Sequence, residues 1–143
     1  MNWVQIHLLI NHLPFAGLLF GALALGAGAW RRSRDLEVFG LLTLAVVGLM
    51  SCVVFQSGDS AVQASSDLAD ASVQAHRFWA QVSMIASTCL GTGALWALLY
   101  PKPPAEPPRW SVALVLLGAL ICVGLLVYAG HLGGVLRHAA ALQ

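Results

Sequence analysis

The chain has 143 residues, of which 59% are hydrophobic and 9% charged, with a formal net charge of +1 and a mean hydropathy of +0.80. A soluble domain is roughly 45–50% apolar and about 25% charged, so this composition excludes an ordinary water-soluble globule and points to a lipid bilayer as the solvent. The near-neutral charge gives no basis for a nucleic-acid partner.

A membrane helix needs about 20 mainly apolar residues to cross a core roughly 30 Å thick. Four stretches qualify, approximately 8–30 (Val4 is an earlier permitted start), 36–56, 76–100 and 110–131. They predict one all-α domain over residues 1–143, an integral membrane four-helix bundle. Strands are not expected, because the runs lack period-2 alternation and an open sheet edge has no hydrogen-bond partner in hydrocarbon. The first positive charge, Arg31, follows the first apolar run, so that run reads as a retained helix and not a signal peptide. Within it, Gly17 and Gly21 make a small-xxx-small pair, and Ala22, Gly26 and Gly28 extend the small surface. Close packing of another backbone is expected there, and Gly91, Gly93 and Gly118 invite the same reading.

Residues 57–75 carry Asp59, Asp67 and Asp70 among Ser and Ala and are read as a polar outer loop with a short surface helix around Val62 and Leu68. Residues 101–108, Pro-Lys-Pro-Pro-Ala-Glu-Pro-Pro, cannot continue a helix, since proline lacks the amide donor and clashes with the preceding turn. Arg31, Arg32, Arg34, Lys102 and Arg109 fall in the two short loops after spans one and three, against only Arg77 and Arg137 on the other side. The positive-inside rule then places those loops in the cytoplasm and both termini on the exterior, the periplasm of a bacterium. Cys52, Cys89 and Cys122 lack Cys-x-x-Cys or haem-attachment spacing and read as small buried hydrophobes.

All five histidines fall at the outer end: His7 and His12 on the first span, His76 opening the third, and His131 and His138 at the end of the fourth. An ionisable group inside a membrane is costly and implies a partner. His12 is the deepest candidate, followed by Pro14, which frees a carbonyl and permits a kink. His7 and Asn11 also fit the headgroup boundary, with Trp3 and Trp79 in the aromatic belt. His131 and His138 share a helix face only if the helix survives Gly133-Gly134, a natural helix end. Arg137 beside His138 offers a planar fork of donors for an anionic group such as a haem propionate.

Three patterns run through the chain in order: Asn11-His12-Leu13-Pro14 with Gly17, Ser57-Gly58-Asp59-Ser60-Ala61, and Gly133-Gly134-Val135-Leu136-Arg137-His138. Together they resemble a small bacterial four-helix family of uncharacterised membrane proteins, whose motifs run N-H-[LF]-P-x-x-G, T-G-E-x-A and G-G-x-I-R-H. A further histidine opens the third helix of that family, as His76 does here. Asp59 replaces the usual glutamate, and an acidic tail is replaced by Ala139-Ala140-Ala141-Leu142-Gln143. The resemblance implies an inner-membrane, multi-pass fold and the positions His12, Asp59, His76 and His138, but no established activity.

Paired histidines from facing helices are the usual protein contribution to a b-type haem. Phe15, Phe78, Trp79 and Tyr128 lie near the same end. The first expectation is therefore a haem b electron-transfer subunit exchanging electrons with a quinol or cytochrome. His12 and His76 form its axial pair, His131 is the competing partner of His76, and His138 with Arg137 stands near the propionates. A second is a zinc, copper or iron ion on His12, His76, His138 and Asp59. A third is an accessory subunit of a larger respiratory or photosynthetic membrane complex. A transporter is disfavoured, as spans two to four carry no charge near mid-membrane and no inverted repeat is visible.

Overall fold

The first helix starts at a reciprocal cap. The Asn2 side chain accepts from the Gln5 N–H at 2.9 Å and Gln5 Oε1 accepts from the Asn2 N–H at 3.2 Å, pairing two donors that a helix start otherwise leaves open. This helix, α1, runs only from Trp3 to Ile10. Pro14 has no N–H to return to the carbonyl one turn back, so the chain turns at Asn11 and His12 and resumes as α2, Leu13–Arg31. Three long helices follow: α3 Arg34–Gln63, α4 Ala71–Leu99 and α5 Arg109–Ala141.

The computed structural model describes residues 2–63, 71–100 and 107–141, with side chains described through Val135. Among these residues there is no strand. Four stretches are long and apolar enough to cross a membrane: Trp3–Arg31, Arg34–Gln63, Ala71–Leu99 and Arg109–Val135. The expected four-span helical membrane architecture is therefore present, with the first span built from α1 and α2 together.

The helices outrun the apolar stretches that announced them. Ser57–Gln63, expected as a loop, forms the last two turns of α3. Polarity there marks the end of the apolar run, whereas the helix continues on its own backbone bonds, helped by Gln63 Nε2 donating to Asp59 Oδ2 at 2.7 Å across one turn. In the same way α5 passes through Gly133-Gly134 and runs to Ala141, the last described residue. Glycine permits a stop without imposing one. Asp67, Leu68 and Asp70, and Lys102 in the Pro-rich linker, lie outside the described residues.

Helices α2, α3, α4 and α5 form a closed ring of neighbours, each packed on the next and α5 on α2, while α1 packs on α3. Leu18, Leu25, Leu41 and Leu44 are fully buried between them, alongside small residues such as Ala94, Ala97 and Ala119. Leu9, Leu23, Leu49 and Leu120 point outward, each at least 66% exposed. Small residues between helices and large apolar ones outside are what lipid, not water, stabilises.

Two crossings depend on missing side chains. A Cβ at Gly40 of α3 would stand 2.6 Å from the Leu25 backbone nitrogen of α2. At the α3–α4 crossing, a Cβ at Gly48 would lie 2.9 Å from the Ser87 carbonyl and one at Gly91 3.0 Å from Gly48 Cα. Gly17 and Gly21 face Val47 and Leu44 of α3, as the small-residue pair predicts. Gly93 departs from expectation: none of the described residues lies within 4 Å of the side it would extend.

Candidate functional site

At the end of the bundle remote from Arg34, α1 and α4 each carry a half-buried imidazole, His7 and His76. His7 Nδ1 lies 3.2 Å from the Val54 carbonyl and 3.0 Å from the Ser57 hydroxyl on α3. Ser57 itself donates to Val54 O at 2.7 Å. A carbonyl oxygen only accepts, so Nδ1 carries the proton and donates. His76 repeats the arrangement on the neighbouring helix pair: its Nδ1–H donates to the Ala129 carbonyl of α5 at 2.9 Å. In a neutral imidazole so anchored, Nε2 is the bare, basic nitrogen, and its orientation is set by the bond behind it. Both rings lie at the same end of the bundle, where Asp59 of α3 pairs with Arg77 of α4, the residue after His76.

Each ring also rests on a glycine. A Cβ at Gly58 would stand 2.9 Å from His7 Cε1, and one at Gly133 would stand 2.9 Å from His76 Cε1. On the same helices, α4 and α5, Trp79 packs edge-on against Tyr128, centroids 5.0 Å apart, and against Phe78 at 5.5 Å, with Phe78 58% and Tyr128 46% exposed. Asn11 Oδ1, at the break between α1 and α2, is buried and has no hydrogen-bond partner among the described residues.

The other predicted site residues are placed differently. His12 is exposed and precedes α2 without a side-chain capping bond; it is His7, which in sequence also fits the headgroup boundary, whose ring is anchored like that of His76. His131 is exposed. The side chains of Arg137 and His138 lie outside the described residues, although their backbone belongs to α5. Asp59 is on α3 and pairs with Arg77 of α4 at 2.7 Å, in addition to its bond from Gln63. Among the described residues, no group of three or more His, Cys, Asp or Glu side chains is placed to hold a metal ion.

Arg77 in that pair is 41% exposed and Asp59 16%, so solvent screens much of the attraction, and pairs of this kind contribute about 0–1 kcal/mol. Asp59→Asn and Arg77→Gln should each lower stability by no more than about 1 kcal/mol, read as a small shift in thermal unfolding in mild detergent. A collapse of the fold in either variant would show that the pair secures α3 to α4.

No family model matches the chain. No match was found among curated proteins or among solved structures. The site therefore rests on its own geometry. What sequence reading missed is Val54, Ser57, Gly58 and Gly133 as the setting of the two rings. Ser57 and the two glycines leave a trace there, as parts of the second and third patterns, and Val54 leaves none.

Proposed function

We propose that the chain is a membrane-embedded haem-binding electron-transfer subunit, with His7 and His76 as the axial ligands of a b-type haem. The observation that carries this is the shared state of two imidazoles from non-consecutive helices. Both have Nδ1–H tied to a backbone carbonyl, and both are thereby left with Nε2 as donor. A haem macrocycle supplies four nitrogens of its own, so two protein imidazoles complete its coordination. A lone zinc or copper ion instead needs three or four protein ligands.

When bound, haem supplies a one-electron iron couple. The chain's own residues hold the imidazoles through the Val54 and Ala129 carbonyls and offer Asn11 Oδ1 as an acceptor for an N–H or O–H at the same end. A quinol or a cytochrome is the partner class such a site serves, and membership in a larger membrane complex is compatible with it. The decisive measurement is an absorption spectrum of the purified protein in mild detergent, oxidised and dithionite-reduced, followed by a pyridine haemochrome assay. Sharp reduced α and β bands are expected; a colourless protein that takes up no added haem defeats the proposal.

The same reading sets this site at the periplasmic face of a bacterial inner membrane, on the strength of the basic residues Arg31, Arg32, Arg34 and Arg109 at the opposite end. In a background without the three native cysteines, Gln63→Cys should react with an impermeant thiol reagent in intact cells and Asp35→Cys should not. The reverse pattern inverts the orientation.

A further inference from the structure

The anchoring of His7 and His76 is one arrangement occurring twice. From His7 to His76 is a shift of 69 residues along the chain, and from Val54 and Gly58 to Ala129 and Gly133 a shift of 75. In each case Nδ1–H bonds to a carbonyl four residues before the glycine under the ring. The shifts carry more than the site. Moved by 69, the buried positions 14, 18, 21, 25 and 28 of α2 become 83, 87, 90, 94 and 97, each a buried residue of α4. Moved by 75, the seven buried positions of α3 divide: 40, 44 and 47 become 115, 119 and 122, all buried on α5, and 41, 48, 51 and 57 become the half-buried 116, 123, 126 and 132. The spans of each matched pair run in the same direction, so the relation is a two-fold about the bundle axis and not an inverted repeat.

We infer that the chain is a duplication of one helical hairpin, and that Gly58 and Gly133 are equivalent seats positioning the His7 and His76 rings on either side of the axis between the halves. The ligand class this suits is a flat, metal-centred macrocycle lying on that axis, which takes one nitrogen from each half. That last step rests on the haem reading above; the paired seats do not. Two departures from symmetry stand out. Leu132 occupies the position equivalent to Ser57, so the hydroxyl beside His7 Nδ1 has no counterpart at that position, and the break at Asn11–His12 has none in α4.

The seats act through the rings, so their test reads the rings directly. In haem-free protein in lipid nanodiscs, 15N-labelled imidazole spectra should show His7 and His76 both in the Nδ1–H form. Gly58→Ala should disturb His7 alone and Gly133→Ala His76 alone, since the added carbon meets a ring edge and not backbone. Any loss of thermal stability in each variant should vanish when the cognate histidine is also alanine, as a double-mutant cycle requires of a direct contact. Haem affinity should fall by about 10–100-fold in both single variants, by similar factors, as for other losses behind a ligand.

An Nε2–H form at either histidine, a variant that disturbs both rings or neither, or a stability cost that persists in the double variant overturns the paired seats. Correct tautomers and selective variants in a protein that binds no haem uphold the seats and overturn only the haem reading.

Discussion

Alanine at His7 or at His76 should each abolish the low-spin haem spectrum, while alanine at His12 leaves it intact. Each of the first two removes a nitrogen that would bind iron, so the loss should exceed the roughly 10–100-fold effect typical of groups behind a ligand. His12 is exposed and its ring caps nothing. Haem titration and reduced-minus-oxidised spectra, with circular dichroism to verify four intact helices, make the comparison. Full occupancy and an unchanged spectrum in His7→Ala would remove it from the pair. Loss of haem in His12→Ala would restore the pair expected from the sequence.

The second large effect lies at the α3–α4 crossing. Gly48→Ala and Gly91→Ala should each destabilise by about 1–3 kcal/mol, the usual cost of inserting a carbon into a full interface. What the new atom meets is backbone, the Ser87 carbonyl in one case and Gly48 Cα in the other, and backbone yields less readily than a side chain. Thr88 tightens the same crossing, its hydroxyl donating to Met84 O at 2.9 Å with Gly48 O at 3.3 Å. Gly93→Ala is the internal control. It faces open space and gains helix propensity of up to about 1 kcal/mol, so it should be neutral or stabilising in the same unfolding assay. Equal behaviour of all three would mean that helix propensity, not contact, governs these positions.

The four spans were legible because hydropathy is a property of composition, and any 20-residue apolar run in this chain has only one stable use. Helix ends were not, because a helix leaving the hydrocarbon changes its solvent but not its hydrogen bonding. Ser57–Gln63 therefore looked like a loop. That error hid the site: Ser57 and Gly58 face His7 only because α3 carries them past the apolar run. His76 could be singled out by its place at the head of a span. His7 could not, since its acceptor is a main-chain carbonyl at Val54, and carbonyls have no residue code. Asp59 stands out in sequence as the acid of the second pattern, and the continuation of α3 gives it Arg77 as partner. The start of α1 was readable in principle, as Asn2-x-x-Gln5 is a capping signature.

The interruption at Asn11–His12 leaves Trp3–Ile10 as a unit with no buried residue of its own. Eight residues make little more than two turns, so α1 is held by its capping box, its packing on α3 and the docking of His7 at Ser57 and Gly58. Its free energy of local opening consequently belongs at the low end of the range found within one protein, well below that of the ring formed by α2 to α5. Anything bound at His7 Nε2 raises that opening energy, and departs when α1 lifts while the other four helices stay assembled. The amide protons of Trp3–Ile10 thus become a gauge of occupancy: fast in hydrogen exchange when the site is empty, slowed when it is filled.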